Sequence, residues 1–208
     1  SKDQTIVKKY SPRSVKTGKL ENKLALQRQV GLPEDSKVAL IGIVTRLTEQ
    51  KGLDLIINQF EAMCQRRVQI IILGSGDRMY EDALKGVAWE HKDKVSFQCK
   101  YDFVLSNRIY AGCDMFLMPS LFEPCGLSQM MSLKYGTIPI VRETGGLKDT
   151  VQPYNLFDNT GNGFTFDRYE SGLLYDAINR AKTLYFENRK YWDEMVVRDM
   201  NKDVSWQQ

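Results

Sequence analysis

Residues 122–127 (FEPCGL) place an acid, a proline, a thiol and a glycine between two regular elements. The apolar residues 115–118 before them predict a strand, and a helix-like stretch follows up to Tyr135. Ligands of open parallel sheets bind at the carboxyl ends of strands, and a helix start offers unpaired N–H groups to an anion. Glu123 precedes that start, which we expect near Gly126, and a carboxylate there can meet a polyol or a developing cation. The junction suggests an enzyme that holds a phosphorylated sugar.

A second chemically distinctive loop, residues 45–52 (TRLTEQKG), follows the first predicted strand. Arg46 and Lys51 place two cations beside the start of a helix. Diphosphate binding requires such an arrangement, because charge-assisted hydrogen bonds to phosphate oxygens are the strong kind. A solvated basic loop is the alternative interpretation, since basic loops are common on protein surfaces.

Two glycine-containing loops follow other predicted strands. Thr144, Gly145 and Gly146 come after the fifth strand, and two glycines let backbone N–H groups approach a ligand closely. A flexible turn would explain the same residues. Residues 74–77 (GSGD) begin like a dinucleotide fingerprint but lack its third glycine. We therefore interpret them as a tight turn.

Tyr101 lies just past the third predicted strand. An aromatic ring at a sheet edge can stack on a nucleobase, although such a tyrosine is more commonly a core or rim residue. Cys125 has no histidine near it in the sequence to activate the thiol, which argues against a nucleophilic role. His91 is the single histidine of the chain, and its charged neighbours predict a surface position. We therefore predict no metal site.

The composition is that of a folded protein without a nucleic-acid or membrane signature. The 208 residues are 42% apolar and carry a formal net charge of +3. This apolar content argues against disorder, and the small, dispersed basic excess requires neither nucleic acid nor an anionic membrane as partner. No apolar run approaches the roughly 20 residues that span a bilayer, and no signal peptide is visible. Four cysteines without a C-x-x-C pair predict reduced thiols in a cytoplasmic protein: Cys64, Cys99, Cys113 and Cys125.

Strand and helix patterns alternate along most of the chain. Residues 1–18 are polar and unpatterned and predict a linker before a single domain over 19–208. Continuous apolar runs predict strands buried on both faces, and 3.6-residue periodicity predicts the helices between them. Alternation of this kind predicts an α/β fold, with a parallel sheet covered by helices on both faces. The predicted strands are 38–44, 68–73, 95–99, 115–118, 137–141 and 164–166, and the helices are 19–30, 52–63, 80–90, 103–111 and the region from 171 onward.

Taken together, these segments resemble the carboxyl-terminal half of bacterial glycogen synthases and plant starch synthases. That family, glycosyltransferase family 5, contains retaining enzymes with the two-lobed GT-B fold, and the resemblance implies its Rossmann-like carboxyl-terminal lobe. Met131 stands where many other two-lobed transferases carry a second glutamate, and synthases of this family typically lack that acid too. The matching strings are LENKLALQRQVGLP at 20–33, RLTEQKGLDL at 46–55, YDFVLSNRIYAGCDMFLMPSLFEPCGLSQM at 101–130, LKYGTIPIVRETGGLKDTV at 133–151 and NGFTF at 162–166.

The resemblance implies a role for each matching residue. Arg46 and Lys51 match the pair that grips the diphosphate and stabilises the leaving group. Tyr101 matches the aromatic residue that stacks on adenine, and Glu123 matches the glutamate near the donor glucose. The remaining matches contact sugar hydroxyls and phosphates: Cys125, Gly126, Leu127, Thr144, Gly145 and Gly146.

The reaction that the resemblance implies moves glucose from ADP-glucose to the non-reducing end of an α-1,4-glucan with retention and without a cofactor or metal. The family's amino-terminal lobe, with a KTGGL motif and most of the acceptor surface, is an expected partner, and this chain alone is expected to be inactive. Two alternatives stay open: a transferase using a UDP-sugar, such as one resembling sucrose synthase, and a non-catalytic nucleotide- or glucan-binding module. The expected location is the cytoplasm if the source is bacterial and the plastid stroma if it is a plant.

Overall fold

The computed structural model describes residues 2–202 and contains a six-stranded parallel sheet. The strand order is β3-β2-β1-β4-β5-β6. The order reverses beside β1, because the chain adds β2 and β3 on one side and β4, β5 and β6 on the other. A crevice opens at such a switch point, outside the carboxyl ends of the two central strands. The strands are β1 (Ala39–Val44), β2 (Val68–Leu73), β3 (Val95–Gln98), β4 (Met115–Met118), β5 (Ile138–Arg142) and β6 (Phe164–Phe166).

Eight α-helices connect and cover the strands within the described residues. Helix α4 contacts both α1 and α5, and α2 contacts both α3 and α7. Helix α8 contacts α5 and α7. None of these helices is long and apolar enough to cross a membrane. The helices are α1 (Val15–Val30), α2 (Leu53–Met63), α3 (Arg78–Glu90), α4 (Phe103–Gly112), α5 (Ser128–Lys134), α6 (Gly145–Thr150), α7 (Ser171–Glu187) and α8 (Arg189–Asn201).

The predicted α/β class and the parallel sheet are confirmed, and each predicted strand lies within one residue of an observed one. The central strands are buried on both faces, as their runs of valine, isoleucine and leucine predict. Helix boundaries are less accurate. The helix after the FEPCGL run begins at Ser128 and not near Gly126, which has a φ of +67°. The carboxyl-terminal helical region is divided at Asn188, whose side chain accepts from the N–H of Tyr191 at the start of α8.

The segment predicted to be a linker packs against the domain. Helix α1 begins at Val15, four residues earlier than predicted, and Ile6 and Tyr10 are buried in the main core. The Tyr10 hydroxyl donates to the carbonyl of Tyr135 at 2.6 Å. Residue 19 is therefore not a packing boundary, because apolar side chains upstream of it complete the core. That this segment joins two lobes stays a prediction.

Candidate functional site

A cavity of about 200 Å³ lies at the switch point, between the loops that follow β1 and β4. Half of the ten residues predicted to form the site line this cavity, although they come from loops more than 70 residues apart. These loops lie close together because the sheet is parallel, so the carboxyl ends of adjacent strands lie at the same edge. The five residues are Arg46, Lys51, Glu123, Gly126 and Leu127.

Lys51 and Glu123 form an ion pair in this cavity. Lys51 Nζ donates to Glu123 Oε2 at 2.7 Å, and Ser120 Oγ donates to the same oxygen at 3.2 Å. The side chains are 18% and 12% exposed, respectively. Charge-assisted hydrogen bonds of this length are strong, so each side chain holds the other in place at the cavity wall.

Backbone packing fixes the turn that carries Lys51 against the loop that carries Glu123. The turn is a 3₁₀ helix, Glu49–Lys51, that ends at Gly52 with a φ of +75°. A Cβ at Gly52 would lie 2.1 Å from the carbonyl oxygen of Pro119, so only glycine permits this approach. The N–H of Leu121 donates to the carbonyl of Gln50 at 2.9 Å. The two charged side chains therefore meet on a rigid backbone.

Arg46 connects this cavity to a second one of about 190 Å³. The residue is exposed, and its guanidinium forms no ion pair with any residue between 2 and 202. The second cavity is also lined by Tyr101, which is 88% exposed, and by Ser75 and Lys100. An unpaired cation thus lies between an aromatic ring and the Lys51–Glu123 pair, in an order that fits base, phosphates and sugar.

The 74–77 turn brings the loop after β2 against the loop after β1. A Cβ at Gly74 would lie 1.9 Å from the carbonyl oxygen of Thr45, and one at Gly76 would lie 2.4 Å from that of Leu47. The N–H of Leu47 donates to the carbonyl of Ser75 at 3.0 Å. These glycines serve close backbone packing, which agrees with the tight-turn interpretation.

Gly145 and Gly146 contact the loop that carries Glu123. They form the first turn of α6, after Thr144, and a Cβ on them would lie 2.2 Å from the carbonyl oxygen of Glu123 and 1.9 Å from that of Cys125, respectively. The N–H of Gly146 donates to the carbonyl of Glu123 at 3.2 Å. This support of the loop was not predicted. The contact of Thr144, Gly145 and Gly146 with phosphates stays a prediction.

Two polar side chains that the sequence analysis missed also hold this loop, one half-buried and one buried. Arg142, at the end of β5, donates from Nε to the carbonyl of Ser120 at 2.8 Å and from Nη2 to that of Leu121. Gln129 is fully buried, and its Nε2 donates to the carbonyl of Gly126 at 2.9 Å. The sequence signal that could have identified Arg142 is an arginine at the carboxyl end of a predicted strand. No sequence signal identified Gln129.

Cys125 is exposed and does not line the cavity at the switch point, and all four cysteines are free thiols. His91 lies outside both cavities, where its Nε2 is 2.9 Å from Glu61 Oε1. Between residues 2 and 202, one group of three potential metal ligands comes together: Glu61, Glu90 and His91. It contributes no side chain to either cavity.

Comparisons with known proteins agree with this geometry. The chain is 47% identical over 204 residues to the glycogen synthase of Lachnospira eligens, which covers 98% of this chain and 43% of that protein. It is 48% identical over 206 residues to the glycogen synthase of Clostridium perfringens, covering 99% and 42%, respectively. The chain thus spans well under half the length of these relatives.

A solved structure, the catalytic domain of starch synthase IV from Arabidopsis thaliana bound to ADP and acarbose, matches with a TM-score of 0.91 at 36% identity, over 98% of this chain and 43% of that one. Anabaena HepE in complex with UDP-glucose matches with a TM-score of 0.68 at 20% identity, over 86% and 47%, and shows the fold alone. Residues 23–196 match the family described as "Glycosyl transferases group 1". Since that match covers most of the sheet and its helices, the chain belongs to the group 1 glycosyl transferases.

Proposed function

We propose that this chain is the ADP-glucose-binding, carboxyl-terminal lobe of a glycogen or starch synthase. The full protein would transfer glucose from ADP-glucose to the non-reducing end of an α-1,4-glucan with retention. The observation that carries the proposal is the meeting of Arg46, Lys51 and Glu123 at the switch point of a sheet that matches a starch synthase bound to ADP. The named relatives, glycogen synthases at 47–48% identity, support the same reaction.

The donor would lie along the two connected cavities. Tyr101 presents a free aromatic face on which adenine can stack. Arg46 and Lys51 would bind the diphosphate, with Thr144, Gly145 and Gly146 beside it. The glucose would then lie against Glu123, with backbone groups of Cys125, Gly126 and Leu127 near its hydroxyls.

The proposed chemistry is electrostatic stabilisation of a leaving group. Arg46 and Lys51 would offset the negative charge that grows on the departing diphosphate, so the site requires no metal. Glu123 would hydrogen-bond the donor sugar while the acceptor attacks the face from which ADP departs. A covalent intermediate on Glu123, as in two-step glycosidases, is the alternative route to retention.

The glucan acceptor and an amino-terminal lobe of the same protein are the proposed partners. The chain spans about 43% of the length of its relatives, so the second wall of the cleft would come from that lobe. We therefore expect the 208-residue chain by itself not to elongate glycogen. The curated relatives named above are bacterial, which supports a cytoplasmic location over a plastid one.

Titration of this chain with nucleotides tests the proposal. We expect ADP to bind with a Kd of about 0.1 to several mM, since one wall of the cleft supplies part of the contacts. Tyr101→Ala should weaken ADP binding by about 1–3 kcal/mol, the usual value of stacking on one base. Trp89→Ala is the matched control, because Trp89 is 73% exposed and lines neither cavity.

Three results would contradict the proposal. If no ADP binding is detected at about 10 mM ADP, this chain does not contain the proposed nucleotide site. Equal losses from Tyr101→Ala and Trp89→Ala would move adenine away from the second cavity. Tighter binding of UDP and UDP-glucose than of ADP and ADP-glucose would favour a transferase that uses a UDP-sugar.

A further inference from the structure

Glu123 holds the ammonium of Lys51 in the unliganded cavity, and the two charges offset each other there. We propose that Glu123 sets a preference of this site for the donor, ADP-glucose, over the product, ADP, by repelling the additional charge of a free terminal phosphate. This inference rests on the proposed function and adds a role for Glu123 in product release. The argument starts from the charges that line the cavity.

The charged side chains that line the cavity within the described residues are Arg46, Lys51 and Glu123. Lys51 Nζ is 2.7 Å from Glu123 Oε2. A phosphate oxygen that accepts a second hydrogen bond from the same ammonium would therefore lie about 4.4–4.8 Å from that carboxylate oxygen, given ordinary bond lengths and tetrahedral geometry. Because Glu123 is 12% exposed, solvent screens this repulsion less than at an open surface.

Donor and product differ in charge at the phosphate that this carboxylate faces. The terminal phosphate of ADP is bonded only to the neighbouring phosphate, and its second ionisation has a pKa of about 6, as in other singly substituted phosphates. At pH 7.5 it therefore carries about one more negative charge than the same phosphate in ADP-glucose, where glucose occupies that oxygen. The donor also brings sugar hydroxyls that can donate to Glu123. Glu123 would therefore oppose ADP more strongly than ADP-glucose.

The consequence concerns the end of the reaction. While the sugar carries positive charge, Glu123 and the diphosphate both stabilise it. Once the glucosyl group has moved to the acceptor, Glu123 faces ADP with no sugar between them. The repulsion then favours departure of ADP, and the ion pair with Lys51 restores the empty site.

The test compares the two ligands on Glu123→Gln, a substitution that removes the charge and keeps the shape and an oxygen to accept from Ser120. Calorimetric titrations at pH 7.5 use the 208-residue chain with ADP and with ADP-glucose. We expect the Kd of ADP to fall by about three- to tenfold, and the Kd of ADP-glucose to change less. The ratio of the ADP Kd to the ADP-glucose Kd should thus fall, by about three- to tenfold if the Kd of ADP-glucose does not change.

Glu49→Gln is the matched control, because Glu49 is an exposed carboxylate in the same turn as Lys51 and does not line the cavity. If the role of Glu123 is purely structural, Glu123→Gln should leave the ratio of the two Kd values unchanged or weaken the binding of both ligands. That result, or an equal change in Glu49→Gln, would overturn the inference and leave the proposed function intact. Absence of binding of both ligands to the unaltered chain would instead contradict the proposed function, and this inference with it.

Discussion

Two lysine–carboxylate pairs lie at opposite ends of β4. Lys23 donates to Asp114 at 2.8 Å just before the strand begins, and Lys51 donates to Glu123 at 2.7 Å in the loop after it ends. The side chains are 5% and 10% exposed in the first pair and 18% and 12% in the second. The two pairs are nearly alike in N–O distance and in burial. They differ in the other hydrogen bonds that each lysine makes.

The pair before β4 is closed by the protein. Lys23 Nζ also donates to the carbonyl of Val38 and, at 3.2 Å, to the hydroxyl of Tyr185, and Asp114 Oδ2 accepts from the N–H of Leu40 at 2.9 Å. Burial lowers the pKa of Lys23, but the attraction of Asp114 and Tyr185 outweighs it, so the pKa lies above its usual value. The pair therefore keeps its charge, and the ammonium of Lys23 has no donor left for a ligand.

The pair after β4 is open. Among the described residues, Lys51 Nζ has Glu123 as its hydrogen-bond partner, and both side chains border the cavity at the switch point. An ammonium group has three donors, so Lys51 retains capacity for a phosphate. Unused donors beside a cavity, rather than burial or pair distance, therefore distinguish the open pair from the closed one.

Removing the lysine of the closed pair should have the largest effect. Lys23→Met leaves Asp114 charged and buried without its cation, which typically costs about 3–5 kcal/mol. Urea unfolding followed by circular dichroism measures this loss. In the double variant Lys23→Met/Asp114→Asn the charge is absent, and we expect a clearly smaller loss. Equal losses in the single and double variants would contradict the assignment of a closed ion pair.

Removing the lysine of the open pair should change binding more than stability. We expect Lys51→Met to cost clearly less unfolding free energy than Lys23→Met, because Glu123 borders a cavity and still accepts a hydrogen bond from Ser120. ADP binding should weaken by about 1–3 kcal/mol, the value of a charge-assisted hydrogen bond. Lys37→Met, an exposed lysine just before β1, is the control. Unaltered ADP binding by Lys51→Met would place the diphosphate elsewhere.

Asp199 sharpens the comparison, because it is a buried carboxylate without a lysine partner. It lies in α8, is 4% exposed, and its Oδ2 has no hydrogen-bond partner among the described residues. Burial raises its pKa from 3.8 to about 8, although Arg198 and Lys202 partly oppose the shift. Between these pH values the unfolded chain releases a proton that the folded chain retains, so this group costs stability as the pH rises.

Asp199→Asn should therefore stabilise the fold by about 1–3 kcal/mol at pH 8, and the gain should shrink as the pH falls toward 5. Thermal unfolding of both proteins across that pH range measures the difference. Asp193→Asn is a less buried control on the same helix, where the carboxylate has Arg189 at 3.0 Å. A gain for Asp199→Asn that does not depend on pH would show that packing, not ionisation, is responsible.

The sequence analysis located the strands more accurately than the contacts between loops. Runs such as Val68–Leu73 are unambiguous, because a strand buried on both faces has few polar residues. The burial of Ile6 and Tyr10 was not predicted, since two apolar residues in a polar segment give no periodicity. The roles of Gly145 and Gly146 against the Glu123 loop were missed for a related reason. Glycine shows that backbone freedom is needed but not which neighbour requires it.

Local periodicity and composition suffice to predict a parallel α/β sheet and the residue types that end its strands. The motifs around Arg46, Lys51 and Glu123 carried the resemblance to glycogen and starch synthases. That β1 and β4 are neighbours is visible only in the folded chain, since strand order is set by how the helices pack and not by any local pattern. That adjacency brings Lys51 to Glu123 across 72 positions of sequence. Lys51 therefore keeps unused hydrogen-bond donors beside a cavity. At the other end of β4, the donors of Lys23 are taken up by Val38 and Tyr185 as well as by Asp114.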